Sequence, residues 1–312
     1  MTKKQKNNVL LKRDFTKLLD ITDDEAIFLI ERAGILKKLK QDGIEHKPLK
    51  DKSLAMVFEK ASTRTRVSFE VGIHDLGGYA IVMNAGETQL GRGEPAKDTA
   101  RVLSRYIDGI MIRTYSQSIV EELAQWADIP VINGLSDMYH PCQILSDLYT
   151  VTECKGKLKD MKIVYIGDGN NVANSWIEAS ILLDLNFTIA TPEDYRPEEG
   201  LLEKARCNKR FVYTDDPLEA VENADVINTD VWVSMGQEVE KEAREKAFSL
   251  YKIDDELLNK AKKDAIVMHC LPAYRNQEIS ESVFERFQGT IFTQAENRLH
   301  MQKALLEWLI QK

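Results

Sequence analysis

The densest concentration of chemically useful side chains is one run, Phe58-Glu59-Lys60-Ala61-Ser62-Thr63-Arg64-Thr65-Arg66-Val67-Ser68-Phe69-Glu70. Its apolar start reads as the end of a strand, and a helical pattern begins directly after the hydroxyls. A helix N-terminus presents unpaired N–H groups and a partial positive charge, which together attract anions. Ser62, Thr63 and Thr65 add hydroxyl donors, and Arg64, with Arg66 close behind, adds a guanidinium fork suited to a phosphate or similar dianion. The competing reading is a capped helix with a solvated basic first turn. Arginine opposes the helix dipole at this end, which favours the anion site. A second run, Ile166-Gly167-Asp168-Gly169-Asn170-Asn171-Val172-Ala173, follows a strand and opens a helix, as a dinucleotide fingerprint does. Its third glycine position holds Val172 or Ala173, and no acidic residue ends the next strand, so the signal for a nicotinamide cofactor is weak. The same loop geometry serves a carboxylate equally well.

Such residues need elements to hold them, and the chain alternates short apolar strands with amphipathic helices. The first helix opens with Thr22-Asp23-Asp24-Glu25, a capping box, places Ile27, Ile30, Ala33 and Leu36 on one face, and should stop near Gly43. Strands are expected at 54–58, 80–83, 109–112 and 131–132. A second series follows at 162–166, 187–190, 211–213, 226–228 and 266–269. Strands alternating with helices imply parallel sheets made of right-handed crossovers. The predicted fold is therefore α/β: two domains, each with a central parallel sheet flanked by helices, spanning 1–150 and 151–293 and joined by a helix over 141–153. A last helix from 294, carrying Leu299, Leu305, Leu306, Trp308 and Leu309, is expected to pack back on the first domain.

Composition agrees with that size and narrows the partners. The 312 residues suit two domains at about 150 residues each. Asp and Glu total 50 against 42 Lys and Arg, a net charge of -8. That field repels polyanions, which argues against nucleic acid or an acidic membrane surface as partner while leaving room for a local anion site. Cys142, Cys154, Cys207 and Cys270 are far apart and show no C-x-x-C spacing, as expected of reduced thiols in a cytoplasmic protein. Residues 1–8 are basic and polar with no apolar stretch behind them, and no run approaches the ~18 apolar residues of a spanning helix.

The Ser62-Thr63-Arg64-Thr65-Arg66 run resembles the carbamoyl-phosphate signature of the aspartate and ornithine carbamoyltransferase family. Other pieces match in family order: Gln89 within the loop 87–94, Arg113 ending a strand, and His140-Pro141-Cys142-Gln143. Asp230 with Ser234-Met235-Gly236, and His269-Cys270-Leu271-Pro272, complete the set. Cys142, the Ser234-Met235-Gly236 loop and His269-Cys270-Leu271-Pro272 resemble the ornithine branch, although Gln237 stands where Glu is common. The resemblance implies transfer of the carbamoyl group of carbamoyl phosphate to the δ-amine of ornithine, giving citrulline and phosphate in arginine metabolism, with no cofactor and no metal.

It also implies roles. Ser62, Thr63, Arg64 and Thr65 would hold the phosphate, helped by Arg298 and by Gln89 from a neighbouring subunit. Arg113, His140 and the Thr65 hydroxyl would surround the carbamoyl oxygen, and Gln143 would orient the carbamoyl NH2. Asn171, with Ser234 and Met235, would take the α-carboxylate end of ornithine, and Asp230 its α-ammonium. Cys270 would lie beside the reacting amine and the carbamoyl group, with a cis Leu271–Pro272 bond turning the Leu271 carbonyl toward substrate. The δ-amine, with an unperturbed pKa of ~10.4, must react as its rare neutral form. Arg113, His140 and Cys270 are the expected catalytic residues, in a homotrimer or multiple of trimers with shared sites. Three bland readings stay open: His140 as a helix cap, Arg113 as an ion-pair partner, and Cys270 as a small buried hydrophobe. Two other activities compete: carbamoyl transfer to putrescine or an acylated ornithine, and an NAD-dependent dehydrogenase.

Overall fold

The computed structural model describes residues 12–84, 86, 93–233 and 238–310. Strands β1 (Ser53–Phe58), β2 (Tyr79–Asn84), β3 (Gly109–Arg113) and β4 (Val131–Leu135) form a parallel sheet in the order β2-β1-β3-β4. All six residues of β1 are buried, as a central parallel strand covered on both faces requires. Helices α1 (Asp23–Gln41), α2 (Thr63–Asp75), α3 (Ala96–Leu103) and α4 (Gln117–Trp126) accompany this sheet. Helix α5 (Pro141–Lys155) then leads to the second sheet.

That sheet comprises β5 (Lys162–Ile166), β6 (Asn186–Ala190), β7 (Phe211–Thr214), β8 (Val226–Thr229) and β9 (Ile266–His269). Its order is β7-β6-β5-β8-β9, again with every pair parallel. Helices α6 (Asn171–Leu182), α7 (Glu199–Ala205), α8 (Pro217–Val221), α9 (Lys241–Ala247) and α10 (Asp255–Leu258) accompany it, and α11 (Glu281–Ile310) closes the described chain. The expected α/β fold with two parallel sheets is what forms. Among the described residues, no helix is long and apolar enough to cross a membrane.

Two local expectations need correction. In α1 the buried face is Ala26, Leu29, Ile30, Ala33 and Leu36, whereas Ile27 is 47% exposed. Helix α1 packs on α5 and α11, and Ile27 is turned about 100° from the Ala26 position around the helix. Helix α11 begins at Glu281 rather than at 294. Its first three turns bury only Val283, Phe284 and Ile291 and contain Gly289, too sparse an apolar pattern to announce a helix.

Helices α5 and α11 unite the two sheets. Pro141 through Val151 of α5 are buried on every side, as befits a helix with protein all around it. Helix α11 packs on α1, α2, α5 and β9. One apolar cluster runs from Phe15 and Met56 through Leu148 to Trp176, Phe187 and Ile310, so residues of both sheets share a core. In each sheet the chain also reverses its direction of growth once, between β1 and β3 and between β5 and β8. Crevices beyond the carboxyl ends of strands at such switch points are where open α/β sheets bind ligands. Residues 62–65 and Arg113 follow the first switch, and residues 167–171 and Asp230 follow the second.

Candidate active site

Both switch points open on one cleft of about 880 Å3, lined by Ser62, Thr63, Arg64, Thr65, Arg113, His140, Gln143, Asn171, Asp230, Cys270, Leu271 and Arg298, among others. Sequence distances above two hundred residues have closed to side-chain contact. On the first-sheet side, Ser62 caps α2 by accepting the Thr65 N–H at 3.2 Å. Thr65 is 1% exposed, and its hydroxyl lies 3.5 Å from both Arg113 Nη1 and Arg298 Nη2. Parallel pairing of β1 with β3, with Phe58 opposite Arg113, brings that arginine beside the α2 N-terminus. Arg298 Nη1 donates to Gln143 Oε1 at 2.6 Å, and Arg64 Nη2 donates across the cleft to the Leu271 carbonyl at 2.6 Å.

No ion pair within the described residues neutralises Arg64, Arg113 or Arg298. Among the described residues, the buried Nε atoms of Arg113 and Arg298 have no hydrogen-bond partner. Burial, Arg298 and Arg64 push Arg113 down to about 10, and burial also lowers Arg298. The three guanidiniums repel one another, most strongly at the poorly solvated Arg113 and Arg298, so a dianion bound among them would relieve the group. Arg66 departs from expectation: it is exposed and reaches Glu70 at 3.5 Å instead of the cleft.

His140 stands at the N-cap of α5, yet its side chain makes no capping bond. Its backbone N–H donates to Ser175 Oγ on α6 at 2.8 Å, while Nδ1 is buried without a partner. Burial and the positive field of Arg298, Arg113 and Arg64 hold the imidazole well below its ordinary pKa. The ring is therefore neutral at pH 7, with one N–H to donate and one nitrogen to accept.

On the second-sheet side, Asp230 is held from both ends. Its Oδ1 accepts the Cys270 thiol at 2.9 Å and its Oδ2 accepts Asn170 Nδ2 at 2.8 Å. Burial first, and then the Asp230 charge, push the Cys270 thiol well above its usual range. Asn170 also caps α6 through the Val172 and Ala173 N–H groups, and Asn171 donates to the Ser136 carbonyl at 2.6 Å. The Leu271–Pro272 bond is cis. Asp230, His269 and Cys270 place metal-ligand atoms within 4.8 Å of one another. Their atoms are engaged in hydrogen bonding, with His269 Nδ1 taking the Leu271 N–H and Nε2 facing Glu278 at 3.1 Å.

The fingerprint-like turn is occupied by protein. Gly169 N–H donates to the Tyr195 carbonyl at 3.0 Å, and a Cβ there would lie 2.3 Å from Arg196 C and Pro197 N. The second glycine thus admits backbone where a dinucleotide pyrophosphate would have to approach. Asp168 pairs with Arg244 at 3.1 Å. Gln89, Ser234 and Met235 lie outside the described residues. Sequence reasoning passed over Asn170, the partner of Asp230, although an Asn before a helix was a capping signal. It also passed over Lys60, buried in an ion pair with Asp137 and 4.2 Å above the Tyr115 ring.

Fold and site define a class: an α/β enzyme whose cleft sets arginines beside a helix N-terminus and faces them with a polar pocket on a second parallel sheet. Comparison with protein families narrows this. Residues 13–153 match the carbamoyl-P binding domain, and residues 159–309 the Asp/Orn binding domain, of aspartate/ornithine carbamoyltransferase. The chain belongs to the aspartate/ornithine carbamoyltransferase family. It is 52% identical over 302 residues to the ornithine carbamoyltransferase of Syntrophus aciditrophicus, covering 96% of this chain and 100% of that one. The solved structure of ornithine carbamoyltransferase from Pyrococcus furiosus is similar with a TM-score of 0.91 and 47% identity, covering 96% of this chain and 98% of that one. The anabolic ornithine carbamoyltransferase from Campylobacter jejuni gives 0.88 and 42%, covering 95% and 98%.

Proposed function

We propose that the chain transfers the carbamoyl group of carbamoyl phosphate to the δ-amine of L-ornithine, yielding citrulline and phosphate. The observation that carries this reading is the convergence of Arg64, Arg113 and Arg298, unneutralised, on the Thr65 end of α2. The phosphate lies against Ser62, Thr63, Arg64 and Thr65, with Gln89 supplied by a neighbouring subunit. Arg113, neutral His140 and the Thr65 hydroxyl donate to the carbamoyl oxygen, where negative charge develops as nitrogen attacks. The neutral amine nitrogen forms the new C–N bond, the bond from the carbamoyl carbon to the bridging oxygen breaks, and phosphate leaves with that electron pair and takes up the proton the nitrogen sheds. Gln143 accepts from the carbamoyl NH2. Asp230 receives the α-ammonium of ornithine, and Asn171, Ser234 and Met235 its carboxylate. A thiol kept neutral by Asp230 suits Cys270 to orienting the δ-amine rather than to removing its proton.

The carbamoyl-phosphate half is assigned to 1–150 with the C-terminal helix, and the ornithine half to 151–293. Val67, Val71, Tyr79 and Ile81, exposed apolar residues on α2 and edge strand β2, support contact between copies, which we read as a homotrimer that shares its sites; the free cysteines suit a cytoplasmic enzyme. Arg64→Ala is expected to lower citrulline formation ~10²–10³-fold, the usual cost of losing one preorganised donor. Unchanged turnover would refute the phosphate assignment. A rate panel with ornithine, putrescine and aspartate checks the acceptor, and preference for putrescine would reverse it. Sedimentation at a mass other than a multiple of three chains would reject the trimer.

A further inference from the structure

Asp147 lies on α5 one turn beyond Gln143, fully buried and, among the described residues, without an ion-pair partner. Its Oδ1 accepts the side-chain amides of Gln143 and Gln294, each at 2.8 Å, and its Oδ2 faces Asn228 Nδ2 at 3.4 Å. Gln143 is therefore gripped at both ends, since its Oε1 takes Arg298 Nη1 at 2.6 Å. Turned over, the amide would set NH2 against a guanidinium and oxygen against a carboxylate. Only one orientation survives. In it Oε1 uses one acceptor position on Arg298 and keeps a second for an N–H in the cavity that Gln143 lines.

We propose that Asp147 is a positioning residue for carbamoyl transfer, locking the Gln143 carboxamide with its oxygen free to receive the carbamoyl NH2. The inference rests on the reading of Gln143 given under Proposed function. Retention of an unpaired carboxyl in this place is otherwise costly: burial raises Asp147 to about 7, and an apolar residue would fill the space without that penalty.

Gln143→Ala, Asp147→Leu, their double variant and Asp147→Asn, each checked for native circular dichroism, test the proposal in a steady-state citrulline assay. Asp147→Leu keeps the branched shape in a larger side chain but offers no acceptor, and is expected to lower kcat about 10–100-fold with KM for ornithine within about threefold. Asp147→Asn keeps one acceptor oxygen, and its NH2 can meet Asn228 Oδ1, which has no partner now. It should recover the rate to within about fivefold of wild type, as loss of a supporting hydrogen bond allows. In the Gln143→Ala background Asp147→Leu should cost less than about threefold more, because no amide remains to be oriented. If the Leu variant does not fold, Asp147→Ser enters the same cycle. Losses that multiply, or an Asn variant as slow as the Leu variant, overturn the proposal while leaving the Gln143 reading in place. A wild-type rate for Gln143→Ala removes that reading itself.

Discussion

Arg64, Arg113 and Arg298 illustrate what neighbours do to a residue type. Each is an ordinary cation in sequence, yet all three line one cleft and no carboxylate pairs with them within the described residues. Cys270 illustrates the reverse. A thiol among arginines would be expected to ionise, but its contact is the Asp230 carboxylate, and burial with that charge keeps it protonated. A neutral thiol can place the acceptor amine without exchanging protons with it. Cys270→Ala is therefore expected to lower kcat about tenfold while KM for carbamoyl phosphate stays within about threefold, a smaller loss than for a donor to the developing oxyanion. Initial-rate kinetics with each substrate varied separates the two parameters. A loss confined to carbamoyl-phosphate KM would contradict this placement.

Helices α5 and α11 bring Gln143 and Arg298 to the first-sheet side of the cleft, and α11 shows how unevenly an element declares itself. Its second half, with Met301, Leu305, Leu306 and Leu309 buried, was legible from periodicity. Its first half was not, because it crosses the second-sheet side with few apolar contacts. The helix also buries His300, 2% exposed, which burial and Lys303 push down to about 4. The unfolded value is ~6.5, so protons bind the unfolded chain preferentially between the two values. Stability contributed by the neutral ring is present above ~6.5 and is lost as the pH falls toward 4. His300→Gln should narrow the difference in Tm between about pH 7 and pH 5, read by thermal circular dichroism across that window. An unchanged difference would show that other groups carry the acid sensitivity.

The molecule as a whole joins two sheets through one apolar cluster instead of tethering them by a linker. Leu18 N–H donates to Glu178 on α6, and Asn171 reaches Ser136, so polar contacts cross the same junction. Domains that share a core unfold together when neither retains a complete interior alone. Calorimetry is therefore expected to show one transition, coincident with loss of near-ultraviolet circular dichroism; two resolved transitions would mean independent halves. Such coupling also suits the chemistry, since the donors for the anion and the pocket for the amine sit on different sheets and must be held in register.

The sequence alone carried the nine strands found among the described residues, the parallel architecture and the hydroxyl–arginine start of α2, because apolar periodicity, capping residues and such a run are local in the chain. It also held the ornithine-side residues in order, through resemblance to a family. The folded arrangement set which candidates come together. It turned Arg66 out to Glu70, joined Asn170 to Asp230, and filled the approach to Gly169 with residues 195–197. It also tied Gln143 to Asp147 and Arg298, a link spanning α5 and α11. The physical reason is that electrostatics and hydrogen bonding act over a few ångströms of space. Asn170 and Asp230 are 60 residues apart in the chain and Gln143 and Arg298 are 155 apart, and no local pattern encodes such proximity.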